Sequence, residues 1–180
     1  MEIEFGKILR DHRHHAGVVG TRADFAEQHI ITAHKKFHAE DPSAAESIGE
    51  HSFSYCRSLV NVTLGDKITR IPAHAFMGCI VIENINLGNI TFVGENAFAE
   101  SGIKRVELPK ATEIDKFAFV YCARLEAVVL GGEAITVGEG AFAYCDKLSR
   151  LDGEEKIKTL GDYAFAYSLI TEADLSSAES

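Results

Sequence analysis

The sequence has no run of about 18 apolar residues, so it predicts no membrane-spanning helix. It is poor in positive charge, with 18 Lys and Arg against 27 Asp and Glu and a net charge of −9. Such a surface repels phosphate backbones and argues against a nucleic-acid partner. The opening Met1-Glu2-Ile3-Glu4-Phe5 lacks the basic and apolar regions of a secretory signal, which points to a cytoplasmic address. A Gly-rich phosphate loop, a G-x-S-x-G elbow and an H-E-x-x-H pair are also missing. Nothing in the sequence gathers a nucleophile, a base and an oxyanion donor on one cleft. The expectation is a protein that is not an enzyme, has no catalytic residue and needs no cofactor.

What the chain has is repetition. At 180 residues, 46% apolar and 25% charged, it fits one folded domain with room for a cap. Phe53, Phe76, Phe98, Phe119, Phe142 and Phe165 recur at spacings of 23, 22, 21, 23 and 23 residues. Each sits in a similar phrase, clearest in Val137-Gly138-Glu139-Gly140-Ala141-Phe142-Ala143-Tyr144-Cys145. Self-similarity at this period marks a solenoid, in which no unit can bury its own apolar face. After each Phe segment comes a short apolar pattern, as in Leu59-x-x-Val62-x-Leu64, Ile103-x-x-Val106-x-Leu108 and Leu125-x-x-Val128-x-Leu130. Its alternation predicts a strand with one buried face. A second extended piece closes each turn, as in Ile68-Thr69-Arg70-Ile71 and Ile157-Lys158-Thr159-Leu160. The Ala-Phe-x-x-Cys stretch is too short for an independent helix and predicts one turn of 3₁₀ or α-helix held by packing. The third and sixth copies are one residue short, before Ile103 and before Ile170, and both carry serine in place of cysteine.

Residues 1–47 read as an N-terminal cap, followed by six repeats of 21–23 residues over 48–177. Ile3 and Phe5 alternate with Glu2 and Glu4, which predicts a short strand. Thr21 is a candidate N-cap, and Ala26, Ile30, Ala33 and Phe37 line one face of a helix near 22–39 that Asp41-Pro42 ends.

The phrase Ile-Gly-x-x-Ala-Phe-x-x-Cys-x-x-Leu-x-x-Val-x-Leu, fullest here from Val93 to Glu113 and from Ile114 to Thr136, resembles the BspA-like, or treponemal-type, leucine-rich repeat family. The resemblance covers residues 48–175. It implies an α/β solenoid: a right-handed leucine-rich repeat with a parallel sheet on one face and short helical turns on the other. Family members are described as bacterial or protist surface proteins and adhesins, so it also implies a cell-surface, adhesin-like role. The family motif consists of structural positions and supplies no catalytic residue.

Four features are candidates for function. Cys56, Cys79, Cys122 and Cys145 all fall three residues after a phenylalanine. One shared phase, with parallel Cβ vectors, suits a column of buried thiols better than disulfides. Tyr55, Tyr121, Tyr144 and Tyr167 share another phase and are expected to stack along a surface, between coils or as anchors for a partner. On the sheet, the outward positions Asn61, Thr63, Asn84, Asn86, Arg105, Glu107, Val129, Arg150 and Asp152 form a ladder suited to a protein partner. Ala127 belongs to the same ladder, and the C-terminal coil around Ala173 and Leu175 is a candidate surface for self-association. Seven of the eight histidines fall in residues 1–51, which makes a metal-binding protein the alternative function. His34 and His38 lie four apart on the predicted helix, with His12, His14 or His15 as a third ligand, but the fixed ligand spacing of known metal sites is missing.

Overall fold

The structure, a computed structural model, describes residues 2–4, 47–171 and 175. The predicted helix near 22–39 therefore lies outside the described residues. The predicted N-terminal strand does not: β1 (Glu2–Glu4) pairs in parallel with β2 (Asn61–Thr63).

Alternation of apolar and polar residues makes the strands of the first sheet face. In β6 (Arg105–Leu108), Val106 and Leu108 are wholly buried while Arg105 and Glu107 are exposed. β4 (Asn84–Ile85), β8 (Ala127–Leu130) and β10 (Arg150–Asp152) occupy the same place in their coils. Here β1-β2-β4 form one parallel sheet and β6-β8-β10 another. The second extended piece of each coil builds a further face. β3 (Arg70–Ile71), β5 (Phe92–Val93), β7 (Glu113–Ile114), β9 (Ile135–Val137) and β11 (Ile157–Leu160) form one uninterrupted five-stranded sheet. A short 3₁₀ helix, Glu154–Lys156, which the repeat pattern does not foretell, follows Gly153.

The first face is interrupted between β4 and β6, and the third coil is the one that reaches its strand a residue early. There the Gly102 N–H donates to the Cys79 carbonyl at 3.0 Å, and a Cβ on Gly102 would overlap the Ile80 carbonyl. Only glycine allows backbones to approach this closely.

The phenylalanine segments are not helical, contrary to expectation. The residues two before and two after every phenylalanine have left-handed backbones, with φ from 51° at Asn96 to 68° at Gly78. One left-handed residue in every four prevents a helix from propagating. The hydrogen bonds show what replaces it. Ser52, Ser54 and Cys56 donate three residues back within the segment, while His51, Phe53 and Tyr55 donate to Ala73, Ala75 and Met77 of the next coil. A helix would consume every N–H internally, whereas this alternation leaves half of them to bind coil to coil. The phenylalanine N–H groups of the first five coils make these links at 2.7–2.9 Å. Left-handed backbone at non-glycine residues costs about 1–3 kcal/mol each, and the coil-to-coil bonds and ring stacking offset it.

Inside, the six phenylalanine rings form a single column. Adjacent centroids are 5.0–5.2 Å apart with planes within 10° of parallel, in the range of offset stacking. The four middle rings are fully buried, and Phe53 and Phe165 close the ends at 3% and 7% exposure.

Candidate protein-interaction face

Parallel register decides how the outward residues of the first face line up. Arg105 pairs with Ala127 and Ala127 with Arg150, while Glu107 pairs with Val129 and Val129 with Asp152. The result is a row of two arginines across an alanine beside a row of two acids across a valine. Each arginine turns to the acid two residues on. Arg105 Nε donates to Glu107 at 2.6 Å, and Arg150 binds Asp152 through Nε at 3.0 Å and a terminal nitrogen at 2.7 Å. Ala127 is buried at 8% exposure, so it is floor and offers little side-chain contact.

At the sheet interruption the ladder becomes concave. Asn61, Thr63, Asn84, Asn86, Arg105 and Glu107 line an open groove of about 740 Å³, floored by Val62, Ile85 and Leu87. Six of the nine sequence-predicted residues thus come together, while Val129, Arg150 and Asp152 continue the face beyond them. Asn61 accepts from the Asn84 amide at 2.6 Å. Asn86 has a structural duty that its ladder position did not reveal: its side chain accepts from the Leu64 N–H at 2.6 Å and donates to the Leu64 carbonyl at 3.0 Å. A side-chain amide that satisfies both backbone groups of one residue takes the place of a missing ladder pair.

The tyrosine column is shorter than expected. Tyr121, Tyr144 and Tyr167 stack with centroids 4.6 Å apart. Tyr55 stands apart, because Gly78 and Glu100 occupy the intervening coils, and its ring lies over Gly78.

The cysteines behave as a buried thiol column. All four are free and buried, and the thiols of Cys79, Cys122 and Cys145 donate to the carbonyls of Phe53, Phe98 and Phe119 at 3.0–3.2 Å. Burial pushes the Cys56 thiol up to about 11 and raises that of Cys79 as well. Thiolate is the reactive form, so Cys56 and Cys79 are inert near neutral pH. At Cys122 the upward push of burial is outweighed by hydrogen bonds with Cys145 and Ser101 that lower the thiol, and its complete burial, shared by Cys145, keeps reagents away. In the native protein at pH 8, no thiol should react with a disulfide reagent within minutes, and all four should react after denaturation. A fast-reacting native thiol would contradict the buried column.

His51 and His74 stack on each other, with centroids 4.4 Å apart and planes 4° from parallel, and neither hydrogen-bonds to a cysteine. The Cys–His pairing needed for a nucleophile is thus not formed there. Among the described residues no group of three His, Cys, Asp or Glu could hold a metal. His12, His14, His15, His34 and His38 lie outside the described residues. No helix among the described residues is long and apolar enough to cross a membrane.

The comparisons with known proteins agree with this geometry. No curated protein matches the chain. Among solved structures, the crystal structure of a leucine-rich repeat protein from Bacteroides ovatus is similar, with a TM-score of 0.51 and 22% identity. The likeness covers 70% of this chain and 39% of that one, and it concerns the fold. The family description that matches is the BspA type leucine-rich repeat region, in six copies over residues 46–172. Those copies span the same coils whose phenylalanines stack in one column, and the chain belongs to the BspA-type leucine-rich repeat family.

Proposed function

We propose that this chain is a non-catalytic, adhesin-like module that binds another protein across its first sheet face. The observation that carries the reading is the groove at the sheet interruption, where six outward residues surround an apolar floor. Its polar rim and apolar centre have the composition of a specific protein contact. The arginine row of Arg105 and Arg150 extends the same surface over three paired strands.

The test is the double reversal R105E/R150E. Both arginine–acid pairs are exposed, with side-chain exposures of 39–63%, so each contributes at most about 1 kcal/mol to stability. The fold should survive, with the urea midpoint close to that of the wild type. A partner captured from the native source should bind the variant at least about tenfold more weakly, as expected when interface charges are reversed. Undiminished affinity would move the site off this face.

A further inference from the structure

The turn-bearing side of the solenoid carries a second surface. The left-handed positions before and after each phenylalanine form two parallel columns. In the fourth to sixth coils these are Phe117, Gly140 and Tyr163 on one side and Tyr121, Tyr144 and Tyr167 on the other. Between them lies a trough of about 300 Å³ with a floor of Val120, Ala143 and Ala166. Gly140 leaves the space that the Phe117 ring occupies, since a Cβ there would press into that ring. The aromatic walls are exposed: Tyr163 by 76% and Tyr167 by 70%. This concentration of aromatic surface is unusual for a face without a partner.

The Gly140 and Tyr144 N–H groups already donate to the next coil at 2.9 and 2.8 Å, so recognition there falls to the side chains. Among the described residues Glu139 is the one charged residue lining the trough; Asp162 takes the same position one coil later, and Lys116, one coil earlier, is paired away with Glu95 at 3.3 Å. Aromatic rings beside a carboxylate attract guanidinium and ammonium groups, and they repel anions. Arg70 shows the same chemistry elsewhere in this chain, with its guanidinium 3.7 Å from the centre of the Phe92 ring. The net charge of −9 draws a basic ligand in. From this charge complementarity we propose that the trough docks a basic, arginine-bearing peptide segment of a partner protein, at a site separate from the sheet face.

The experiment uses the full chain and a labelled peptide alternating arginine and serine, with a glutamate–serine peptide as its counterpart. Fluorescence anisotropy should show saturable binding of the basic peptide only. E139K and Y163A should each raise Kd about tenfold or more, while R105E/R150E on the sheet face, which only makes the chain more acidic, should not raise it. E113K, which makes the same charge change on an exposed residue of the five-stranded sheet, should have little effect. Diffuse attraction to an acidic protein would weaken binding equally in E113K and E139K, and that result overturns the site. Absence of saturable binding, or light scattering that shows dimers of the wild type which Y163A dissociates, would overturn it too.

Discussion

Phe119→Ala is expected to cost about 4–5 kcal/mol, the upper part of the range for deleting a buried phenylalanine. The ring is fully buried and touches a ring on each side, with centroids 5.1 Å from Phe98 and 5.0 Å from Phe142. The size of the loss depends on whether the surroundings can close the cavity, and here they cannot. Neighbouring coils are held apart at strand spacing by hydrogen bonds on the five-stranded sheet and at the Phe segment itself, where the Phe119 N–H binds Ala141 at 2.7 Å. Phe165→Ala should cost nearer 3 kcal/mol, because that ring has one stacked neighbour and is already 7% exposed. Urea unfolding of both variants checks this. In a chain whose stability sums over neighbouring coils, the middle lesion should also reduce the slope of the transition. Equal costs for the two variants would mean that the rings do not act as one column.

Gly132→Ala is expected to cost about 3 kcal/mol, at the top of the usual range for overpacking. A Cβ at Gly132 would overlap the carbonyl oxygen of Ala111, a wholly buried residue of the preceding coil. A backbone carbonyl cannot rotate aside as a side chain can, so relief requires two coils to separate. Gly88→Ala is the matched control. Nothing stands within 4 Å of its Cβ position, and its φ lies outside the left-handed region. Alanine there should leave stability within about 0.5 kcal/mol of the wild type, or raise it slightly by restricting the unfolded chain. Thermal or urea midpoints of the pair decide the matter, and a tolerated Gly132→Ala would show that the coils are less closely set than the structure has them.

The parts of this fold that were legible in the sequence are those in which one residue type returns every coil. The phenylalanine period announced the column, the alternation around Val106 and Leu108 announced the ladder, and the shared phase of the cysteines announced their burial. The turns were misread because Ala-Phe-x-x-Cys looks helical by itself. The deciding interaction, an N–H given to a residue some 22 positions away, has no local signature. A hint was present: His51, His74, Asn96 and Gly140 all stand two places before a phenylalanine, and these residue types tolerate left-handed backbone better than most. The Asn86 bond to Leu64 was equally hidden, since an outward position on a strand looks the same whether its amide faces solvent or a neighbouring backbone.

The two faces also differ mechanically. The five-stranded sheet is a continuous spine from β3 to β11, whereas the first face has no strand pairing between Ile85 and Arg105. Across that gap, Glu83 reaches Lys104 and Arg124 at 3.4 and 3.5 Å, contacts that salt screens. A force that arches the rod can therefore open the gap without breaking a ladder bond, while the spine resists stretch. The compliance this gives lies beneath the groove proposed for the protein partner, where the Phe76–Ala97 and Gly102–Cys79 backbone bonds still tie the two coils.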